Sequence, residues 1–495
     1  MKKAIVIGAG FSGLSAATFL ASQGWRVSVI EKHSTAGGRA RKFTDQGFTF
    51  DMGPSWYWMP DVFEKYFASF GKKVSDYYSL KRLDPSYRIY WKDDITDIPA
   101  DYHQLKELFE SIEHGSATKL DAYLAQAEYK YKIGMHKLVQ KPGQSWLELI
   151  DADVAKGIFT LDVFTSIRKH INRYFKNQKL RQLLEFPVLF LGALPKNIPA
   201  LYSLMNFADI KGGTWYPENG IYSVVDAMQR LAIEKGVEFF FNENVTGIAT
   251  NKQHATSVVT AKRDDMLTQH QADVLIAAAD YHFVESNLLP VNLRSYSETY
   301  WDKKVLAPSC LLYYIGLNKK MTNLQHHSLF FDTDFETHGE EIYSSQQWPL
   351  DPLFYVCAPS VSDENIAPEG CENLFFLVPV ASGLTNDTAE LREKYFEKII
   401  SRFEKKTGEN VKKNIIYKKT FGPADFVNNY NAYKGNAYGL ANTLFQTAFL
   451  KPSCRSKKVK NLFYCGQFTV PGPGVPPSLI SGEVVANEVI KHFGS

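Results

Sequence analysis

The chain opens with a short apolar, β-branched run, Ala4-Ile5-Val6-Ile7, the pattern of a strand buried on both faces. It passes through Gly8-Ala9-Gly10-Phe11-Ser12-Gly13 into Leu14 to Leu20, whose composition is helical, and Gly24 ends that helix. Arg26 to Ile30 predicts a second strand, ending at Glu31. Further buried strands are predicted at Gly236 to Val245, Ala272 to Asp280 and Asn461 to Gly466, with a last helix at Leu479 to His492. Between them, apolar residues at i+3 and i+4 spacing predict helices in Leu105 to Leu124 and Val163 to Leu191. Strand patterns at Ser309 to Leu317 and Asn373 to Pro379 predict a second sheet. No window reaches the roughly 20 apolar residues a spanning helix needs. The nearest, Phe186 to Leu194, is limited by Pro187 and Pro195.

Composition narrows the class. Over 495 residues, 45% are hydrophobic and 22% charged, which excludes disorder, collagen and coiled coil. A net charge of +3 is too balanced for nucleic-acid binding through a bulk positive field. The 14% aromatic content fits extensive apolar burial or a long apolar cavity, and composition does not separate the two. Cys310, Cys357, Cys371, Cys454 and Cys465 form no CxxC and no clustered pair. Reduced, buried thiols of a cytoplasmic protein are expected, with no disulfide framework and no metal site. The glycine-broken N-terminal run is wrong for a secretion signal.

The first strand, glycine turn, helix and second strand with a terminal acid form the dinucleotide fingerprint in its required context. Gly8 permits the tight turn, Gly10 lets the backbone approach a pyrophosphate, and Gly13 lets helix and strand pack closely. Helix N-terminal N–H groups then face the phosphates. Glu31 can accept from both ribose hydroxyls and disfavours a 2′-phosphate. Gly37-Gly38-Arg39-Ala40-Arg41 follows, then Gly47 to Pro54. Paired glycines with a fixed cation would add a second pyrophosphate contact through Arg39; a hairpin turn with solvated arginines is the alternative.

The stretch from Ala4 to Gly53 resembles the FAD-binding start of the flavin-containing amine oxidase superfamily, in which Gly-Gly-Arg after the ribose acid is a shared signature. Asn461 to Gly466 followed by the Pro471 to Ser478 loop and a helix resembles the part that holds the isoalloxazine ring there. N–H donors at such a loop suit the electron-rich edge of a reduced flavin. Gln467 stands where the superfamily has Asp, although its amide can still hydrogen-bond. The resemblance implies FAD held at the first cradle by Gly8, Gly10, Phe11, Ser12, Gly13, Glu31 and Lys32. It implies further contacts from Gly38, Arg39, Gly53, Pro54 and Ser55, and from the Val245 backbone at the adenine. At the ring end it implies Gly466, Gln467, Gly474, Val475 and Pro476.

The implied architecture is α/β. A Rossmann-like FAD-binding domain is assembled from discontinuous segments 1–72, 214–288 and 455–495. A mixed-sheet substrate domain takes 73–90 and 289–454, and 91–213 forms a helical subdomain that could lie on a membrane.

Gly53 to Pro60, Arg181 to Pro195 and Gly212 to Gly220 occur in order and, with Pro471 to Pro477, resemble bacterial carotenoid desaturases of the phytoene desaturase type. This resemblance implies stepwise dehydrogenation of phytoene toward lycopene by hydride transfer to the flavin. The implied partners are a long apolar polyene, a quinone or oxygen as terminal acceptor, and a membrane surface. The implied location is the cytoplasmic, inner face of the cell membrane. Trp56, Trp58, Trp215 and Tyr216 are then cavity walls that could also stabilise a transient cation, or else core packing. Acid–base roles map near Glu148 and Asp151, although Asp151 stands where the family has Arg, and both could be surface carboxylates. Arg168, Lys169, His170, Arg173, Lys176, Lys179 and Arg181 read either as a solvated face or as a helix docking on anionic lipid. A 3,4-desaturase of hydroxylated carotenoids, a carotenoid isomerase, an oxidase of a polar amine and a flavin-bearing carrier remain open as alternatives.

Overall fold

Five short strands form a parallel sheet in the order Leu462–Tyr464, Val274–Ala277, Lys3–Ile7, Arg26–Glu31, Glu238–Phe241. In this computed structural model, residues 1–145, 162, 164–189, 191–262 and 266–494 are described. Alternation along the first strand explains its uniform apolarity. Ala4 and Val6 face one core with Leu14, Ala17, Val484 and Val485 of helices Phe11–Ser22 and Val475–Phe493. Ile5 and Ile7 face another, with Val245, Ile248 and Val258 of an antiparallel meander, Asn244–Asn251, His254–Ala261 and Leu267–Gln271. A strand covered on both faces needs apolar residues at every position.

The second sheet has seven strands, in the order Ile415–Phe421, Ser309–Leu317, Glu372–Val380, Phe354–Cys357, His327–Phe331, Tyr87–Trp91, Ile95–Ile98. Ser309–Leu317 pairs antiparallel with Glu372–Val380 along its whole length, Ser309 opposite Val380 and Leu317 opposite Glu372. One face packs on helix Ala389–Thr407 through Tyr395, Phe396, Ile399 and Phe403. The other turns Cys310, Leu312, Tyr314 and Phe375 toward Phe48 and Phe50. The sheet also takes in Ile95–Ile98, past residue 90, where the sequence reading began the helical subdomain.

Both long helical patterns are broken. The first becomes Tyr102–Ile112 and Ser116–Ile133, separated at Gly115, whose φ of +77° leaves the helical region. The second yields Ile167–Asn172 and Gln178–Leu189. There Glu113 reaches across and accepts the N–H groups of Lys176 and Asn177 at 2.8 and 2.7 Å, a capping role from outside the segment. The last helix begins at Val475 instead of Leu479, because Pro476 and Pro477 suit a first helical turn. Among the described residues, no helix is long and apolar enough to cross a membrane.

Candidate active site

The glycine turn is built for close approach. Gly8 has φ of +102°, and a Cβ at Gly13 would lie 2.0 Å from the Gly8 carbonyl oxygen. A Cβ at Gly10 would meet nothing within 4 Å, so space is open over the turn where a ligand backbone would pass. Gly10 caps helix Phe11–Ser22 without a side-chain bond, which leaves the first-turn N–H groups available to an anion. Phe11 and Ser12 are buried beneath it. Glu31 accepts the N–H of Ala9 and that of His33, each at 2.9 Å. The acid expected to hold ribose therefore also fixes the glycine turn. Burial raises its pKa, opposed by those two N–H donors. Lys32 turns its amine to the Asn428 carbonyl at 3.2 Å. The chain returns at Glu243, whose N–H donates to the Glu31 carbonyl at 3.0 Å, and Val245 follows with its side chain buried and its backbone paired to Thr260.

The second glycine pair docks on the first. Gly37 N–H donates to the Ala9 carbonyl at 2.8 Å, and a Cβ at Gly38 would lie 3.4 Å from Gly10 Cα. Gly53 presses on Arg39, where a Cβ would come within 2.7 Å of its carbonyl oxygen. The Arg39 guanidinium lies 5.4 Å from the Tyr430 ring and donates through Nη2 to the Asn436 carbonyl at 3.3 Å. Its buried Nε has no partner among the described residues. Desolvation lowers its pKa, and the Asp280 carboxylate opposes that shift. A buried N–H left unpaired on a cation beside a glycine cradle fits an absent acceptor such as a pyrophosphate. FAD suits these residues.

At the other end Gly466 has φ of +109°, and a Cβ there would sit 3.2 Å from Ser12 Oγ, so strand end and first helix abut. The Gly466 N–H donates to Ser481 Oγ at 2.9 Å. Gln467 donates its amide to Asn436 Oδ1 at 3.0 Å, the residue that also meets Arg39, so its amide is used within the protein. Gly474, φ +114°, caps the last helix without a side-chain bond, ahead of Val475 and Pro476 in the first turn. Asn436 and Asp280 join this site from distant segments, and no local motif marks either.

Pro54 and Ser55 lead from this cradle into an aromatic wall. Ser55 Oγ lies 2.9 Å from the Tyr355 hydroxyl. Trp56 stacks on His327, contacts Trp58 at 5.1 Å and Tyr355 at 5.5 Å, and meets Tyr87 edge-on at 5.5 Å. Its buried Nε1 has no partner among the described residues. Trp58 donates its indole N–H to Thr214 Oγ1 at 2.9 Å. Tyr216 is buried and donates to Asp363 at 3.0 Å, whereas Trp215 is half-buried, donates to the Gly212 carbonyl at 2.9 Å and stacks under Arg82. The structure thus joins Trp56 and Trp58 directly and sets Trp215 at the edge. The sequence reading missed His326, His327 and Cys357, whose ligand-capable atoms lie within 4.8 Å of one another. His327 Nδ1 is 2.6 Å from the Tyr355 hydroxyl and His326 Nδ1 is 2.9 Å from Ser362 Oγ, while both Nε2 atoms lack partners among the described residues. Burial drives both histidines to the neutral form. The adjacent His pair was the one available signal, and it is ambiguous without a fold.

Glu148 and Asp151 lie outside the described residues. The basic run is divided. Arg168 pairs with Glu185 at 2.8 Å, His170 is buried, Lys179 pairs with Asp94, and Arg181 donates to the Phe175 carbonyl at 2.8 Å. Lys169, Arg173 and Lys176 are exposed. Of the five cysteines, Cys371 is half-buried and the other four are buried, and none of them is joined in a disulfide among the described residues.

The family model for flavin containing amine oxidoreductase matches residues 11–490. A carotenoid 3,4-desaturase of Haloarcula japonica is 42% identical over 490 residues, covering 99% of this chain and 98% of that protein. A zeta-carotene-forming phytoene desaturase of Myxococcus xanthus is 30% identical over 496 residues, covering 99% and 94%. Among solved structures, an oxidoreductase from Methanosarcina mazei aligns with a TM-score of 0.63 at 15% identity, covering 98% of this chain and 100% of that one. Putrescine oxidase bound to putrescine aligns at 0.61 and 13%, covering 99% of each, a likeness of fold alone. With a cradle that suits FAD and relatives matched end to end, the chain belongs to the flavin-containing amine oxidoreductase family, in its carotenoid desaturase branch.

Proposed function

We propose that this enzyme dehydrogenates a carotenoid at carbon–carbon single bonds with FAD as acceptor, working stepwise from phytoene toward lycopene. The observation that carries the reading is continuity: Gly53 packs on Arg39, and three residues on, Trp56 opens a buried aromatic wall. FAD, when bound, supplies a two-electron acceptor for a hydride. Trp56, Trp58 and Tyr216 exclude water, align a flexible polyene and turn π faces to a carbon that becomes positive as hydride leaves. The wall's carboxylates are already engaged, Asp209 by Tyr87 and Thr214 and Asp363 by Tyr216 and the Asn219 N–H, which argues against recognition of a substrate amine. For the departing proton, Glu148 and Asp151 are the carboxylates the resemblance assigns, and His327 offers a neutral imidazole beside Trp56.

On this reading residues 1–72, 214–288 and 455–495 carry FAD, 73–90 and 289–454 carry the polyene, and 91–213 meets the membrane at the inner face through Lys169, Arg173 and Lys176. Quinone or oxygen reoxidises the flavin. A second reading, 3,4-desaturation of a hydroxylated carotenoid, is favoured by the 42% identity to a carotenoid 3,4-desaturase against 30% to the phytoene desaturase. The test is chromatography with mass analysis of liposome-borne phytoene, then of hydroxylated γ-carotene, incubated with the purified holoenzyme. Phytoene products lighter by pairs of hydrogens support the first reading. Dehydrogenation of the hydroxylated substrate alone transfers the function to the second. Unchanged mass with altered retention makes the enzyme an isomerase, and no change in either substrate rejects both readings.

A further inference from the structure

A pocket of about 520 Å³ lies outside the flavin cradle, lined by Tyr296, Tyr300, Lys304, Lys451, Arg455 and Lys457 among others. Its described lining carries four cations and no carboxylate. Lys451 is only 4% exposed, and among the described residues its Nζ has no hydrogen-bond partner. An ammonium buried without an anion is strongly disfavoured, so such a group either sheds its proton or awaits a negative ligand. Burial and the neighbouring Lys304 bring its pKa down to about 7.

The other cations are held without a carboxylate partner among the described residues. Tyr296 and Tyr300 stack at 4.2 Å, with Lys457 Nζ 4.3 Å from the first ring and Lys304 Nζ 4.5 Å from the second. Ring faces fix an ammonium in place yet leave its charge and its N–H donors for a ligand. Arg455 adds a planar fork, and Ser453 and Ser456 complete the lining with hydroxyls.

We propose that this pocket binds a phosphate group, with Lys451 at its base and Lys304, Arg455 and Lys457 around it. The volume admits more than a bare phosphate, so the ligand is a phosphate ester, either a lipid head group or a soluble phosphorylated compound. The rim points to the lipid: Phe449 and Leu450 of the lining are 37% and 40% exposed, and Phe445, four residues before Phe449 and outside the lining, is 79% exposed. Apolar side chains beside unpaired cations are the composition of a surface that enters a bilayer interface. This rim touches the flavin loop, since a Cβ at Gly143 would lie 2.8 Å from Val470 Cγ1 and 3.3 Å from the Ala448 carbonyl oxygen.

The test uses the full-length holoenzyme and reads binding, so it stands or falls apart from the substrate assignment. Titration calorimetry with glycerol phosphate is paired with co-sedimentation on phosphatidylglycerol–phosphatidylcholine vesicles and on phosphatidylcholine alone. Lys451→Met and Arg455→Gln are each expected to weaken phosphate binding about tenfold, the scale of one charge-assisted contact. A K394Q, K405Q, K413Q variant, which removes three exposed lysines outside the pocket lining, keeps it. Vesicle binding lost in parallel, and competed by glycerol phosphate, assigns the lipid source. Phosphate binding with no preference for anionic vesicles assigns the soluble one, and both uphold the pocket. Lack of phosphate and vesicle binding in the native enzyme overturns the proposal, as does binding unchanged in both pocket variants when flavin content shows them folded.

Discussion

The indole of Trp56 lies flat on the imidazole of His327, with ring centroids 4.0 Å apart and planes inclined by 10°. Burial keeps the imidazole neutral, so the pair presents an uncharged π surface. A cation–π contact of about 0.5–2 kcal/mol corresponds to roughly a two- to thirtyfold rate effect. Trp56→Ala is therefore expected to lower the desaturation rate by about that factor while FAD content stays at the native level, and Trp56→Phe to recover most of it. Initial rates on liposome-borne substrate, with visible flavin absorbance for occupancy, check this. A variant that loses flavin and rate together would make Trp56 a packing residue only.

Asp209 gives the wall a pH dependence. It accepts from the Tyr87 hydroxyl at 2.8 Å and from Thr214 at 3.3 Å, and Thr214 in turn accepts the Trp58 indole N–H. Burial outweighs these donors and raises its pKa from an ordinary 3.8 to about 7. Below 3.8 both folded and unfolded chains hold the proton. Between 3.8 and about 7 only the folded chain does, so stability falls as pH rises through that window. The slope is about 1.4 kcal/mol per pH unit. Asp209→Asn removes it, and the stability difference between variant and native protein is expected to grow in the variant's favour from about pH 5 to about pH 7. Urea unfolding across that range measures it, and parallel pH profiles would refute the assignment.

The parts of this site that sequence makes legible are those where a single residue type is obligatory. Gly8, Gly13 and Gly53 each leave no room for a side chain or need a positive φ, and Glu31 closes a strand whose register the apolar pattern already sets. Strands Ser309–Leu317 and Glu372–Val380 are legible for a similar reason, since burial on both faces confines polar residues to their first positions, Ser309, Glu372 and Asn373. Long-range contacts are not legible. Asn436 reaches Arg39 across 397 residues and Gln467 across 31, and Glu113 ends a helical pattern some sixty residues away by taking its N–H groups. The basic run misleads because charge along a sequence does not show which side chains a fold will pair: Arg168 and Lys179 are consumed by Glu185 and Asp94.

Gly13 carries the tightest steric demand of the cradle, with its missing Cβ 2.0 Å from the Gly8 carbonyl and 3.1 Å from Ala278 Cβ. Neither neighbour can yield, since one is backbone and the other lies beside a central strand of the sheet. Gly13→Ala is expected to cost about 3 kcal/mol or more of stability, the range of overpacking that shifts backbone. It should also purify without flavin. Gly10→Ala is the matched control, because its Cβ would enter open space and act only on a bound ligand. It should leave the apoprotein's melting temperature near native and weaken FAD alone. Thermal melts of both apoproteins decide between these effects, and a G13A protein that melts like the native one would contradict the packing argument.

Arg39 separates a structural cation from a ligand-holding one. Its guanidinium is desolvated, its Nε is unpaired among the described residues, and its charged neighbour Asp280 is already held by the N–H groups of Phe283 and Tyr433 at 3.1 and 3.2 Å. Removing a buried cation whose own bonds are incomplete should cost the empty protein little. Arg39→Met is thus expected to destabilise the apoprotein by no more than about 1 kcal/mol, the centre of the range for point substitutions. FAD affinity should fall roughly ten- to hundredfold, the loss of one charge-assisted hydrogen bond of about 1.5–3 kcal/mol. Arg39→Lys keeps the charge without the planar fork and should recover only part of that affinity. Fluorescence titration of apoprotein with FAD, beside thermal melts with and without the flavin, reads both quantities. If the apoprotein is destabilised while FAD affinity holds, Arg39 serves the fold through Tyr430 and Asn436, and the second cradle does not hold the cofactor.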